Sequence, residues 1–191
     1  MSDQTDRLCR RAKAGDSQAA SELVTQFYRR IFCYLCRLCG DETEAADLTQ
    51  KTFLKLWDAL PGFEGRSSFS TWLYGIAHHV YLDWRRKPQR DDARASAWWE
   101  ARADDARTPF ESAEQRDLAF RLYAAVEHLD EPVRDVVHLH YYQGLSLSET
   151  AEALGIAVST VKYRIQSALE LLRARVPDSR SSALTVPSKT P

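Results

Sequence analysis

The chain is predicted to be all-α, on three observations. Apolar residues recur at three- and four-residue steps through most of its length, the period of a helix face packed on a core. Glycine and proline are scarce, 7 of each in 191 residues. Residues 144–173, GLSLSETAEALGIAVSTVKYRIQSALELLR, have the spacing of a helix-turn-helix. With 44% hydrophobic residues, the length suits one large or two small domains with cores of their own.

Residues 5–39 read as one or two helices, with Asp16 or Ser17 as an interior start. Ala20, Leu23, Val24, Phe27, Ile31, Tyr34, Leu35 and Leu38 carry the period. Gly40 ends this run, and Asp41 or Thr43 can cap the next. In a second helix, residues 44–60, the core stripe is Ala45, Leu48, Thr49, Thr52, Phe53, Leu56 and Leu60. Asp47, Gln50, Leu54 and Trp57 share another face. Leu and Trp on a polar face suggest docking rather than simple solvation, although Trp57 can equally close the core. Pro61 and Gly62 break the chain, and residues 63–70 form a loop. A third helix spans 71–86, with Phe69, Trp72, Leu73, Ile76, Ala77, Val80 and Trp84 as its core face. His78, His79, Asp83, Arg85, Arg86 and Lys87 are left for solvent or nucleic acid. His78 and His79 are adjacent and cannot share a face as a ligand pair.

Pro88 stops that helix. Residues 88–115 carry four Arg against seven Asp or Glu, the composition of a flexible or weakly helical connector. Trp98 and Trp99 within it either dock on a partner or fold back on a domain. Residues 112–128 form the next helix, with Leu118, Leu122, Val126 and Leu129. Asp130 then caps a helix with Pro132 in its first turn, followed by Val133, Val136, Val137, Leu139 and Tyr142. Gly144 ends it. Ser146 and Glu149 form a capping box that opens the helix-turn-helix, residues 147–166. Ala151 lets its two helices cross closely, Gly155 supplies a left-handed turn, and Val161 anchors the second helix. Ser159, Thr160, Lys162, Tyr163, Arg164 and Ser167 then point outward, as on a helix that enters the major groove. Ala157 lacks the oxygen that caps many helices, at a cost of about 1 kcal/mol. The tail beyond Pro177 is polar and expected to be disordered. The organisation is therefore a first domain over 8–88, a linker over 89–111, a second domain over 112–176 and a tail over 177–191.

A net charge of −1 is unusual for a protein that grips DNA unaided. The charge is uneven: residues 66–90 hold five basic residues against Asp83, and Lys162, Arg164, Arg173 and Arg175 stand against Glu170. Two basic patches flank an acidic connector, which suggests affinity that depends on a partner. No run of about 18 apolar residues offers a membrane span, and the polar N-terminus lacks the core of a secretory signal, so a cytoplasmic location is expected. Cys33, Cys36 and Cys39 form C-x-x-C-x-x-C, which fits either a metal or redox site or three-residue core spacing. Cys9 provides no second ligand cluster. Neither a metal nor another cofactor is expected. Paired carboxylates, a nucleophile elbow and a phosphate loop are all missing, so neither catalysis nor a small-molecule substrate is expected.

Three stretches, EAADLTQKTFLKLWDAL (44–60), FEGRSSFSTWLYGIAHHVYLDWRRK (63–87) and LDEPVRDVVHLHYYQGLSLSETAEALGIAVSTVKYRIQSALELLR (129–173), resemble the extracytoplasmic-function group of the sigma-70 family. The likeness covers about residues 8–175. It implies that the first stretch binds core RNA polymerase through Asp47, Gln50, Leu54 and Trp57. The second would open and read the minus-ten promoter element: Arg66, Ser67, Phe69 and Trp72 hold the non-template strand, His78 and His79 lie beside it, and Arg85, Arg86 and Lys87 meet phosphates. The third would read the minus-thirty-five element with Ser159, Thr160, Lys162, Tyr163, Arg164 and Ser167. The resemblance also implies an anti-sigma factor as a partner. Family members usually carry Arg-Asn where this chain has His78-His79, a small residue at Tyr163, and often a basic one near Ser167, so no promoter sequence carries over. A second reading is a stand-alone helix-turn-helix regulator that uses its first domain to dimerise or to sense.

Overall fold

A computed structural model of the chain describes residues 2–86 and 113–175. Among the described residues every regular element is helical. Helices α1 (Ser2–Lys13), α2 (Ser17–Cys39), α3 (Glu42–Ala59) and α4 (Phe69–Arg85) make an N-terminal module. Helices α5 (Ala113–Glu127), α6 (Glu131–Val137), α7 (Leu147–Leu154) and α8 (Val158–Arg175) make a C-terminal one. The connector with Lys87, Trp98 and Trp99, and the tail, lie outside the described residues.

Local chemistry explains most helix ends. The Asp16 carboxylate accepts the N–H groups of Gln18 and Ala19 and starts α2. Gly40, at φ 66°, closes it by donating to the Cys36 carbonyl. Asp41 caps α3 through the Glu44 N–H. A 3-10 turn, Leu60–Gly62, follows. Helix α4 starts at Phe69, two residues before the predicted 71, because the Ser68 hydroxyl accepts the Thr71 N–H. Asp130 stands at the N-cap of α6, but its side chain makes no capping bond, contrary to expectation; its carbonyl serves Val133 and Arg134 instead. Helix α6 then runs into a π-helical turn, His138–Tyr142. The Ser146–Glu149 capping box forms as predicted, and Gly155 ends α7 at φ 65°. At α8 the Ala157 carbonyl takes the N–H groups of Thr160 and Val161.

Leu23, Phe27, Ile31, Leu35, Leu48, Leu56, Phe69 and Leu73 fill the N-terminal core. The predicted stripe of α3 is buried in full. Thr49 and Thr52 are tolerated there because their hydroxyls bond the Ala45 and Leu48 carbonyls at 2.7 and 2.8 Å. The C-terminal module has two small cores, one around Val126, Leu129, Val137 and Ala168, the other around Val136, Ala151 and Val161. Leu118 and Leu122, placed in the core by their spacing, are each 42% exposed.

The modules are packed on one another. Helix α7 lies along α4, and Leu139, Leu145 and Ala153 join the N-terminal core. Helix α4 is thus buried along a second stripe, Thr71, Tyr74, His78 and Tyr81. That overturns the solvent-facing expectation for His78, which is only 5% exposed. Its Nδ1 lies 3.2 Å from the Tyr34 hydroxyl and its Nε2 3.7 Å from Asp135. The expected strand contact by Phe69 is corrected too. At 1% exposure its ring packs between Phe27 and Phe63 and supports the surface from behind.

Candidate nucleic-acid interface

Helix α8 presents the first candidate face. Capping at α7 and the left-handed Gly155 set its direction, and Val161, fully buried, roots it in the core. Ser159, Lys162 and Tyr163 are exposed, Tyr163 to 73%, while Thr160, Arg164 and Ser167 are half-buried beside them. Ser159 and Thr160 stand in the first turn, where the helix dipole favours an anion, and Lys162, Tyr163, Arg164 and Ser167 follow over the next two turns. Lys162 adds a cation to that end, and the Tyr163 ring a broad surface able to lie against a base or sugar.

The loop before α4 and the first turns of that helix present the second face. Arg66 is exposed and held by Glu64 at 2.6 Å, a surface pair worth little and easily exchanged for a phosphate. Ser67 is half-buried in the same loop. Trp72 is half-buried and stacks on Phe63, ring centres 4.5 Å apart. It lines a groove with Lys55, Asp58, Ile76, His79, Glu152 and Ala153. His79 is exposed, its Nδ1 2.7 Å from the Gly75 carbonyl. Arg85 pairs with Glu131 of the C-terminal module, whereas Arg86 is exposed and 3.6 Å from Asp83.

The third face lies on α3. Asp47, Gln50 and Leu54 fall on one side of the helix and are exposed, Leu54 to 64%. Trp57 sits at the rim, half-buried and packed on the core, so it serves partly as a core residue. An unpaired Leu among polar neighbours marks a surface suited to protein contact.

The sequence reading missed the residues that join the modules. The Ser68 and Thr71 hydroxyls approach Glu149 Oε1 at 3.4 and 3.2 Å. The Tyr74 hydroxyl donates to Gln143 Oε1 at 2.8 Å. The Arg37 guanidinium lies 4.8 Å from the centre of the Tyr142 ring. Glu149 was legible only as half of a capping box; its carboxyl is held below the usual range by the Ser146 backbone and hydroxyl, then by Thr71 and Ser68. Burial, reinforced by Glu131, pushes Asp135 up to about 7. Burial first, then His79, pushes His78 down to about 4. One signal was available in the sequence: Gly75 stands inside an otherwise strong helix, where glycine costs about 1 kcal/mol against alanine.

The cysteine run follows the core alternative. Cys36 and Cys39 are buried, Cys33 is half-buried, and burial pushes the Cys39 thiol up to about 11 as it donates to the Asp41 carbonyl. Among the described residues no group of three His, Cys, Asp or Glu is arranged to hold a metal.

Comparison with known proteins matches the chain to two family models, Sigma-70 region 2 over residues 23–91 and Sigma-70, region 4 over residues 119–172. The ECF RNA polymerase sigma factor SigX of Bacillus subtilis (strain 168) is 33% identical over 155 residues, covering 79% of this chain and 80% of its own. The RNA polymerase sigma-H factor of Pseudomonas aeruginosa is 33% identical over 180 residues, covering 89% and 92%. Among solved structures, CnrH in complex with the cytosolic domain of CnrY matches with a TM-score of 0.68 at 25% identity, covering 90% of this chain and 96% of that one.

Proposed function

The chain belongs to the extracytoplasmic-function group of the sigma-70 family, and from that premise we infer that it binds core RNA polymerase, directs it to particular promoters and assists the opening of DNA at the start of transcription. The observation that carries this reading is the pairing, on one chain, of a helix-turn-helix with an exposed polar face and a separate helical module with an exposed Leu54 between Asp47 and Gln50. A regulator that bound DNA alone would need only the first.

The division of labour follows the three faces. Asp47, Gln50 and Leu54, with Trp57 at the rim, dock on polymerase. Arg66, Ser67, Trp72, His79 and Arg86 face the minus-ten strand, with Phe69 and His78 behind that surface. The Trp72 ring in its groove, with exposed Arg66 in the loop before it, suits a base drawn out of the stack, because every base has a π-face and the backbone is anionic. Ser159, Thr160, Lys162, Tyr163, Arg164 and Ser167 read the minus-thirty-five element in the major groove. An anti-sigma factor is a partner on this reading; CnrH, the solved relative, is bound to the cytosolic domain of CnrY. Among the described residues no helix is long and apolar enough to cross a membrane, and the cytoplasm, where polymerase works, is the proposed place of action. Neither catalysis nor a cofactor is part of this role.

Run-off transcription with purified core polymerase tests it. Asp47→Ala and Leu54→Asp are expected to lose both polymerase binding and transcripts. Lys162→Ala and Arg164→Ala should keep polymerase binding and lose promoter choice. Failure of the intact chain to co-purify with core polymerase, with any inhibitor removed, would overturn the reading.

A further inference from the structure

Helix α1 takes no part in the three faces described above, and it precedes residues 23–91, the stretch matched to region 2. Its inner side, Thr5, Leu8 and Cys9, is buried against the core. Its outer side carries Arg10, Arg11 and Lys13, all exposed. Cations in the last turn of a helix commonly serve its dipole and its free carbonyls. Here those carbonyls are already taken: Ala14 donates to Arg10 and Arg11, Gly15 to Ala12, and Asp16 to Arg11. Lys13 is not needed to close α1.

It reaches instead to a distant part of the chain. Its Nζ donates to the Phe63 carbonyl at 2.9 Å, across a separation of 50 residues. An ammonium has three donors, and a neutral carbonyl cancels none of its charge. Among the described residues Lys13 forms no ion pair, whereas Arg11 holds Asp16 at 2.8 Å. A lysine stem already fixed on a carbonyl loses less freedom when an anion joins it. Arg10, three residues earlier, lies on the same flank of the helix. Its Nε makes a long 3.4 Å contact with the Asp6 carbonyl.

The place where Lys13 lands gives this end of α1 its chemistry. The Phe63 ring stacks on Trp72, centres 4.5 Å apart, and meets Phe69 edge-on. Arg66 follows three residues later in the same loop. An uncompensated cation thus stands beside an aromatic step, with a second cation further along. Single-stranded nucleic acid is held by that combination, bases on aromatic faces and backbone along a row of cations. A protein interface centres on apolar anchors instead. From Gln4 on, the exposed residues of α1 are Gln4, Asp6, Arg7, Arg10, Arg11 and Lys13, all polar.

We propose that Lys13 and Arg10 form, with Arg66, a cationic rim that carries the backbone of single-stranded promoter DNA past the Phe63–Trp72 step. Their contacts are to phosphates, so they set the position of the strand and not its sequence. This rests on the assignment of α4 and its preceding loop to the minus-ten strand.

The test uses the intact chain assembled with core polymerase, with polymerase alone as background. The probes are a labelled random single strand of about 12 nucleotides and the same sequence as a duplex. Anisotropy over a range of salt reads both the affinity and the number of phosphates met. Lys13→Gln is expected to bind the strand about threefold more weakly at about 0.1 M salt, and to lower the slope of log affinity against log salt by about 0.7, the share of one phosphate on a single strand. Adding Arg10→Gln should lower the slope by about 0.7 again. Lys13→Arg, which keeps the charge, should restore it. Both positions are on the surface, so the variants should melt at the wild-type midpoint. A weaker affinity with an unchanged slope would make Lys13 a brace for the loop and overturn the rim. An equal loss on the duplex, unchanged strand binding, or loss of core polymerase binding would each overturn it too, the last by making α1 a protein contact. Failure of the underlying assignment shows elsewhere: Trp72→Ala would then bind the strand as wild type does. A loss in Trp72→Ala with none in Lys13→Gln strikes the rim alone.

Discussion

At His78 and Asp135 the environment reverses what residue type alone suggests. Both are polar, yet both are about 5% exposed, and each is pushed toward its neutral form by burial. The sign of the pH dependence follows for each. Asp135 titrates near 7 in the native state against 3.8 ordinarily, so its contribution to stability is complete below 3.8 and is lost as pH rises to 7. His78 runs the other way: its contribution is complete above 6.5 and is lost as pH falls toward 4. Glu131, Arg134, Arg85 and Arg164 act on Asp135, and His79 on His78. Asp135→Asn removes one of two opposing slopes, so its stability should rise relative to wild type between pH 4 and 7, by at most about 4 kcal/mol. Urea denaturation of both proteins across that window checks this, and a constant difference refutes it. Tyr34→Phe should cost about 1–3 kcal/mol in the same assay, because it leaves the buried His78 Nδ1 without its 3.2 Å partner.

At the scale of the element, what was readable was local. Asp16, Asp41, Gly40, the Ser146–Glu149 box and Gly155 act within four residues of themselves, so their helix ends could be foreseen. Helix α4 starts two residues before the spacing predicts because Ser68, not the loop's end at 70, supplies the cap. Asp130 shows the converse, a residue of the right type whose side chain makes no cap. The helix-turn-helix depends on Gly155 holding φ 65°. Gly155→Ala should destabilise the chain by about 1–2 kcal/mol, as a Cβ in the left-handed region is strained. It should also weaken polymerase-dependent selection of the upstream element, since α8 would leave the turn at another angle. Calorimetry together with run-off transcription checks both effects; loss of stability with unchanged selectivity would show that the turn does not aim α8. Ser146→Ala, which removes one half of the capping box, should cost about 1 kcal/mol in a denaturation midpoint.

For the whole molecule, charge and closure point the same way. A net charge of −1 gives little long-range attraction to duplex DNA, and the closed chain keeps Arg85 on Glu131. The isolated protein should therefore bind promoter duplex weakly, in the micromolar range typical of non-specific contact at physiological salt. Nanomolar binding without polymerase, measured by anisotropy, would contradict this. Polymerase would then supply what the free chain lacks, by holding both modules on one stretch of DNA.

The sequence alone determined the helices, most of their caps, the core stripes, the helix-turn-helix face and the family, because each depends on residues a few positions apart or on motifs carried whole. It could not decide that α4 has a second buried face, that Phe69 and His78 lie beneath the surface, or that Glu149 serves Ser68 and Thr71 as well as Ser146. Those follow from contacts between residues far apart in the chain, such as His78 with Asp135 and Ser68 with Glu149. Periodicity reports which side of a helix is apolar; polar groups buried in pairs leave no such trace until their partners are brought to them.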